Sequence, residues 1–229
     1  MDQPSNDKDP AQAQMIASRG VDPADAPVVE VGKLWAQNPY YENAEKFTFL
    51  FWEQGRPFRR LFDRLDLDNV VEIACGHGRH SAQFVDRAGH VTLSDIHQEN
   101  LDAARQRLAG HGNVSLHLSD GRTLQPLATA SASSIFSYDA MVHFAPEVVF
   151  SYLQEIKRVL KPGGQALLHH SNYDAPAGAI WHRNPHGRNH MTQSLFGEGA
   201  GQAGLEIVEA VIMPWGHDKD LDGLTLLRG

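Results

Sequence analysis

Glu72-Ile73-Ala74-Cys75-Gly76-His77-Gly78-Arg79 is the stretch on which the reading of this chain turns. It continues the apolar pair Val70-Val71, so a short buried strand ends in a glycine-rich turn. The segment His80 to Ala88 that follows is read as a helix. Glycine lets a backbone pass close to another molecule, and a helix N-terminus offers free N–H groups. In open α/β sheets such a turn lies at the carboxyl end of its strand, where these sheets bind ligands.

Downstream, the same alternation repeats. Val91 to Ser94 reads as a strand, Glu99 to Leu108 as a helix, Val114 to Leu118 as a strand and Ser134 to Tyr138 as another. Pro146 to Leu160 is a helix with Leu153, Ile156, Val159 and Leu160 on one face, stopped by Lys161-Pro162-Gly163-Gly164. Ala166 to Leu168 is a fifth strand, 191–203 a last helix, and Leu205 to Met213 and Leu224 to Leu227 close the chain as strands. Strands alternating with helices predict a mostly parallel sheet covered on both faces. Residues 172–190 break the rhythm with a long polar connection, and connections of this length often carry function.

Upstream, residues 1–27 have the composition of a polar tail or loosely held arm. Residues 28–66 are expected to form a helical cap, with helices at about 42–53 and 56–65 separated by Gly55 and Pro57. Tyr40-Tyr41, ahead of the first helix, suits a ligand rim, since aromatic rings combine an apolar face with a polar handle. The apolar segment is read as a lid or as a subunit interface in a homodimer. The domain proper is taken as 67–229.

The chain has 229 residues, 41% hydrophobic and 21% charged, the balance of an ordinary globular domain. Its formal charge of −8 argues against broad binding to nucleic acid or to anionic membranes. The single cysteine, Cys75, excludes an internal disulfide and a cysteine-built zinc site. No apolar run reaches membrane-spanning length. Met1 to Pro10 lacks the pattern of a secretion signal, and a cytoplasmic location is expected.

The glycine turn is neither a dinucleotide loop, whose third glycine is replaced by Ser81, nor a phosphate loop, which needs a lysine. Asp95, 23 positions after Glu72, ends the second strand, where a carboxylate can hold both hydroxyls of a ribose or cap the next helix. Ser119-Asp120-Gly121 follows the third strand and Phe136-Ser137-Tyr138-Asp139 spans the end of the fourth. With Leu160-Lys161-Pro162-Gly163-Gly164, these segments resemble the class I S-adenosylmethionine-dependent methyltransferases from Val70 to the end of the chain. The resemblance implies a Rossmann-like sheet of seven strands, mostly parallel with the last antiparallel, and S-adenosyl-L-methionine as cofactor. It also implies that Glu72, Ala74, Cys75, Gly76 and Gly78 cradle the methionine part. Asp95 would hold the ribose, Ile96 would pack on adenine, and Asp120 and Gly121 would meet the adenine edge. Ser137 and Tyr138 would lie near the methionine amine, and Arg79 would answer the carboxylate or form a surface ion pair.

Methyl transfer is an in-line displacement in which the protein mainly aligns the reacting atoms. A hydroxyl acceptor profits from a base, and histidine suits that task. His143, a few residues after the fourth strand, is the first candidate. His169 at the end of the fifth strand is the second; alternation with His170 turns at most one of that pair into the site. Tyr40, Tyr41, Asp139, Asn172, Arg183 and His190 are read as acceptor contacts, with Asn184, Arg188 and Asn189 as further donors of a clamp. His182, His186, His190, His169 and Asp139 lack the tight spacing of a metal site, and no metal is expected. The expected activity is O-methylation of a small polar or sugar-like molecule. The alternatives are N-methylation of a small molecule and a non-catalytic cofactor-binding scaffold.

Overall fold

Val70, Val71, Ile73, Leu93, Ile135, Phe136, Leu167 and Leu168 are all buried, although successive residues of a strand point to opposite faces. Such strands must be covered on both sides, and the fold supplies two layers. The computed structural model describes residues 26–36 and 38–229. Four short helices come first: α1 (Ala26–Trp35), α2 (Tyr40–Glu45), α3 (Thr48–Trp52) and α4 (Pro57–Phe62). Then follow β1 (Asn69–Ile73), β2 (His90–Asp95), α5 (Gln98–Arg107), β3 (Val114–Leu118) and β4 (Ala132–Ser137). The chain ends with α6 (Pro146–Val159), β5 (Leu160–Ser171), α7 (Gln193–Gln202), β6 (Glu206–Trp215) and β7 (Asp218–Arg228).

The seven strands form one sheet in the order β3-β2-β1-β4-β5-β7-β6. β1 to β5 pair in parallel, and β7 runs antiparallel to both β5 and β6. Strand alternation sorts the core. Val71, Ile73, Ile135, Leu168 and Leu227 face α6 and α7, while Val70, Phe136, Leu167 and Leu226 share a cluster with Trp52, Phe58 and Phe62 of α3 and α4 and with Leu101 of α5. α6 starts with Pro146 and Glu147, ends with Lys157 and Arg158, and buries Val149, Leu153 and Ile156 on one face.

Several expected boundaries move. The helix expected over 80–88 is two 3₁₀ turns, Ser81–Gln83 and Val85–Arg87. His80, Ser81, Phe84 and Val85 are buried there. The segment 42–53 splits into α2 and α3, so Tyr40 and Tyr41 lie inside a helix, not ahead of it. Lys161-Pro162-Gly163-Gly164 ends α6 as expected but lies within β5. Pairing steps from Ala132–Leu160 to Ser134–Gln165, so these four residues bulge from the ladder. Of the expected arm 1–27, only Ala26 and Pro27 lie among the described residues, and they begin α1.

Gly223 on β7 faces the ring of His170: a Cβ there would lie 2.3 Å from its Cε1. His170 is buried and stacked on Phe196 at 3.7 Å, so it has little room to yield. Gly223→Ala is expected to cost about 1–3 kcal/mol of stability by overpacking, read from urea denaturation midpoints.

Candidate active site

β1 and β4 are neighbours, yet the chain leaves β1 toward β2 and leaves β4 toward β5 on the other side. This parting opens a crevice at the carboxyl ends of the strands. Both strands end in a non-glycine residue in the left-handed region, Ala74 (φ 54°) and Asp139 (φ 61°). Such residues cost about 1–3 kcal/mol and gather at ligand sites. Here they line a cleft of about 790 Å³, open mouth included, and an adjoining cavity of about 380 Å³.

The carboxylate of Asp95 is buried at the end of β2. It accepts from Gly76 N and from His97 N at 2.9 Å and from Asn100 Nδ2 at 3.0 Å. A carboxylate has about four acceptor sites, so capacity remains for a hydroxyl. Gly76 has φ +53°, and a Cβ on it would come within 2.9 Å of the Tyr41 ring. Tyr41 stacks on His77 at 4.5 Å and accepts from Asn100 Nδ2 at 3.0 Å; burial pushes its hydroxyl up to about 12. Ile96 and Gly121 line the main cleft, and Cys75 and Tyr138 the second cavity. Glu72 also lines the second cavity and hydrogen-bonds Ser81; burial, only partly offset by Ser81 and Arg79, raises its carboxyl to about 7.

Asp139 lies between the two spaces. Its Oδ2 accepts from Arg79 Nη2 at 2.8 Å and from the Tyr40 hydroxyl. Arg79 also donates to Ala44 O at 2.8 Å, so it is a largely buried brace between α2 and β4 rather than a surface ion pair. His143 follows in a 3₁₀ turn, Met141–His143, and lines the main cleft. Its Nδ1 lies 2.8 Å from Gly187 O; a carbonyl only accepts, so Nδ1 carries the proton and Nε2 the lone pair. The ring packs 4.6 Å from Trp35 and 6.0 Å from Trp181. Burial lowers its pKa to about 4 despite the Gly187 bond, so it is neutral at ordinary pH.

Other expected contacts lie elsewhere. His169 lines neither space: it is wholly buried, accepts from Asp139 N and bonds Asp222, so neither ring nitrogen is free to act as base. Asp120 turns its carboxylate back onto Arg122 N and Thr123 N at 2.8 and 2.7 Å, bracing a turn instead of reaching the cleft. Ser137 donates to Ile73 O at 3.0 Å, and Gly78 makes room for Leu93 and Ala104. Asn172 ties Asp220 O to Gln193 N, Arg183 is exposed away from the cleft, and His190 stands 3.5 Å from Asp174. The clamp expected from residues 172–190 does not assemble: Asn172, Asn184, Arg188 and Asn189 turn their donors to Asp220 O, Arg188 O, Asp222 and His143 O. Among the described residues no three His, Cys, Asp or Glu side chains gather as metal ligands.

Within the expected 28–66 cap, the wall supplied by α1 had not been assigned to particular residues. Val28, Gly32 and Trp35 line the cleft, and Gly121 leaves no space for a Cβ beside Val28. Their helical spacing was the available signal. Asn100, bridging Asp95 and Tyr41, had none.

Trp35 Nε1 and His97 Nε2 on the main cleft and His80 Nε2 on the second cavity are buried without partners among the described residues. Such orphans are uncommon, and they suit a ligand with polar atoms along both spaces. The acidic end of β2, the glycine turn and the adjoining cavity fit a nucleoside bearing an amino-acid arm.

Residues 70–164 match a family model described as a methyltransferase domain. Methyltransferase nsrG from Aspergillus novofumigatus (strain IBT 16806) is 29% identical over 143 residues, covering 54% of each chain. A crystal structure of an S-adenosylmethionine-dependent methyltransferase from Mesorhizobium loti superposes with TM-score 0.62 at 19% identity, over 75% of this chain and 97% of that one. Geranyl diphosphate C-methyltransferase from Streptomyces coelicolor A3(2), solved with S-adenosyl-L-homocysteine, gives TM-score 0.61 at 15% identity over 74% of each. Residues 70–164 therefore match a methyltransferase domain, and the chain shares its fold with solved S-adenosylmethionine-dependent methyltransferases. The chain spans about half the length of the curated relatives it matches.

Burial holds His80, His143 and His170 below the ordinary value of 6.5, His143 to about 4 and His170 to about 3. The folded protein thus binds fewer protons than the unfolded chain as pH falls below about 6.5, and stability must drop there. Glu72 acts oppositely, holding a proton up to about 7. The balance predicts a net loss of about 3–4 kcal/mol between pH 7 and pH 5, read from urea midpoints, and lessened in His143→Gln.

Proposed function

We propose that this protein transfers a methyl group from S-adenosylmethionine to an oxygen of a small polar or sugar-like acceptor, with His143 as base. When bound, the cofactor supplies a methyl on a sulfonium, already activated for displacement. The residues of this chain would bind and orient. Asp95 keeps acceptor capacity for a ribose hydroxyl, Ile96 offers adenine an apolar face, and Glu72 stands ready for the amine. His143 carries the reading: its proton is fixed on Nδ1 by Gly187 O, which leaves Nε2 as the atom that takes the acceptor's proton. The Trp35 ring, which packs beside His143 and lines the cleft, offers a flat face to a ring-shaped acceptor.

Arg79 already neutralises Asp139, which tells against a cationic acceptor at that carboxylate. An N-methyltransferase would instead show a rate that climbs with pH to the acceptor's own pKa and survives loss of His143.

Asp95→Ala is expected to weaken S-adenosylmethionine binding at least tenfold, about 1.4 kcal/mol, by calorimetry. Undiminished affinity would reject the ribose role. Once an acceptor is found by screening, His143→Gln should lower kcat by about 10²–10⁴ while changing cofactor affinity little. Equal loss of both would reject the base.

A further inference from the structure

Residues 184–190 do not reach the cleft as a clamp, yet they are tied to His143 on the cleft and, through Asp222, to the buried His169. Gly187 O fixes the Nδ1 proton of His143. Asn189 N donates to Val142 O at 2.9 Å and its side chain to His143 O at 3.2 Å. Next to them Arg188 turns inward. It is 2% exposed, and its guanidinium lies 4.7 Å from the Trp215 ring. It forms a two-pronged pair with Asp222 of β7, Nε to Oδ1 at 2.8 Å and Nη2 to Oδ2 at 2.6 Å.

Asp222 in turn bonds His169 Nε2 at 3.0 Å, and His169 Nδ1 lies 3.0 Å from Asp139 N. A backbone N–H only donates, so Nδ1 must accept and Nε2 must carry the proton. His169 has one workable tautomer and no place for a second proton. A proton on Nδ1 would face the N–H of Asp139 and break the bond that holds this left-handed residue. Asp139 is the residue on which Arg79 and Tyr40 converge between the two spaces.

We propose that Arg188 is a positioning residue whose charge keeps Asp222 from drawing a second proton onto His169, so that the Asp139 turn stays in place at the cleft. The groups around His169 bear this out. Tyr138 and Asp139 follow β4, His80 follows β1, His170 adjoins in β5, and Asp222 and Arg188 come from β7 and the connection. Burial keeps His80 and His170 uncharged, and Asp139 is already paired with Arg79. Asp222 is therefore the anion in direct contact, and Arg188 its counter-charge. Asp222 and Arg188 are thus a buried pair: removing one partner leaves a bare charge, whereas replacing both by apolar residues is often tolerated.

The test compares Arg188→Leu with Arg188→Leu/Asp222→Leu. His169 protonation is read by nitrogen-15 imidazole shifts, and S-adenosylmethionine binding by calorimetry from about pH 6.5 to about pH 9. Arg188→Leu should show a doubly protonated His169 and at least tenfold weaker binding at the lower pH, regained as pH rises and the proton leaves. The double variant should show a neutral ring and recover most of the affinity at both pH values. A neutral His169 in Arg188→Leu, a pH-independent loss, or a double variant as impaired as the single one would overturn the proposal. If Arg188→Leu does not fold, Arg188→Lys replaces it. It keeps a cation and must keep His169 singly protonated on Nε2, and an imidazolium there would overturn the proposal. The binding readout rests on the methyltransferase reading. If the unaltered protein binds no S-adenosylmethionine, that reading fails, while the nitrogen-15 signature still decides the role of Arg188.

Discussion

The parting of the chain between β1 and β4 is the constraint from which the site follows. Two adjacent parallel strands whose connections leave to opposite sides cannot have both ends covered by their own crossovers. The exposed backbone at these ends must find partners from elsewhere. Gly76 N–H finds the Asp95 carboxylate from β2, and Asp139 N–H finds the His169 ring from β5. The left-handed conformations of Ala74 and Asp139 are held by those neighbours, and they turn the following residues toward the crevice.

Three carboxylates then knit distant parts of the chain together. Asp95 joins the glycine turn to α5 through His97 and Asn100, and Asn100 reaches Tyr41 of α2. Asp139 joins α2 to the turn after β1 through Tyr40 and Arg79. Asp222 joins β7, the 172–190 connection and β5. Each accepts several charge-assisted or backbone hydrogen bonds in a dry place, where such bonds are strong and a missing partner is costly. The N-terminal helices are thereby fastened over the cleft by polar contacts as well as by the apolar contacts of Val28 and Trp35.

The residues that the sequence reading placed wrongly share a cause. Arg183, Asn172 and His190 are polar and lie in a long connection, which is all that local sequence could say. Arg188, five residues on from Arg183, is the one that turns inward, because a carboxylate 34 residues later waits for it. His169 was read as a candidate base from its place at a strand end. The antiparallel register sets Asp222 opposite Ser171, two residues along, so a diagonal neighbour captures the ring. Helix α1 lies largely within the expected 28–66 cap, but the helices expected there began only at about 42, although Val28, Val31 and Trp35 carry helical spacing.

Sequence alone determined the α/β alternation, the glycine turn after β1, the acidic end of β2 and the resemblance to a methyltransferase domain. These are properties of a few consecutive residues: strand and helix periods, backbone freedom at glycine, and a carboxylate at a fixed distance from a turn. Only the tertiary structure decided which histidine is free to take a proton, which arginine is buried, and which helix closes the cleft. Those outcomes depend on strand register and on pairs far apart in the chain. A side chain's local pattern gives its strand or helix, but its charge state and its task are set by the partner that folding brings to it.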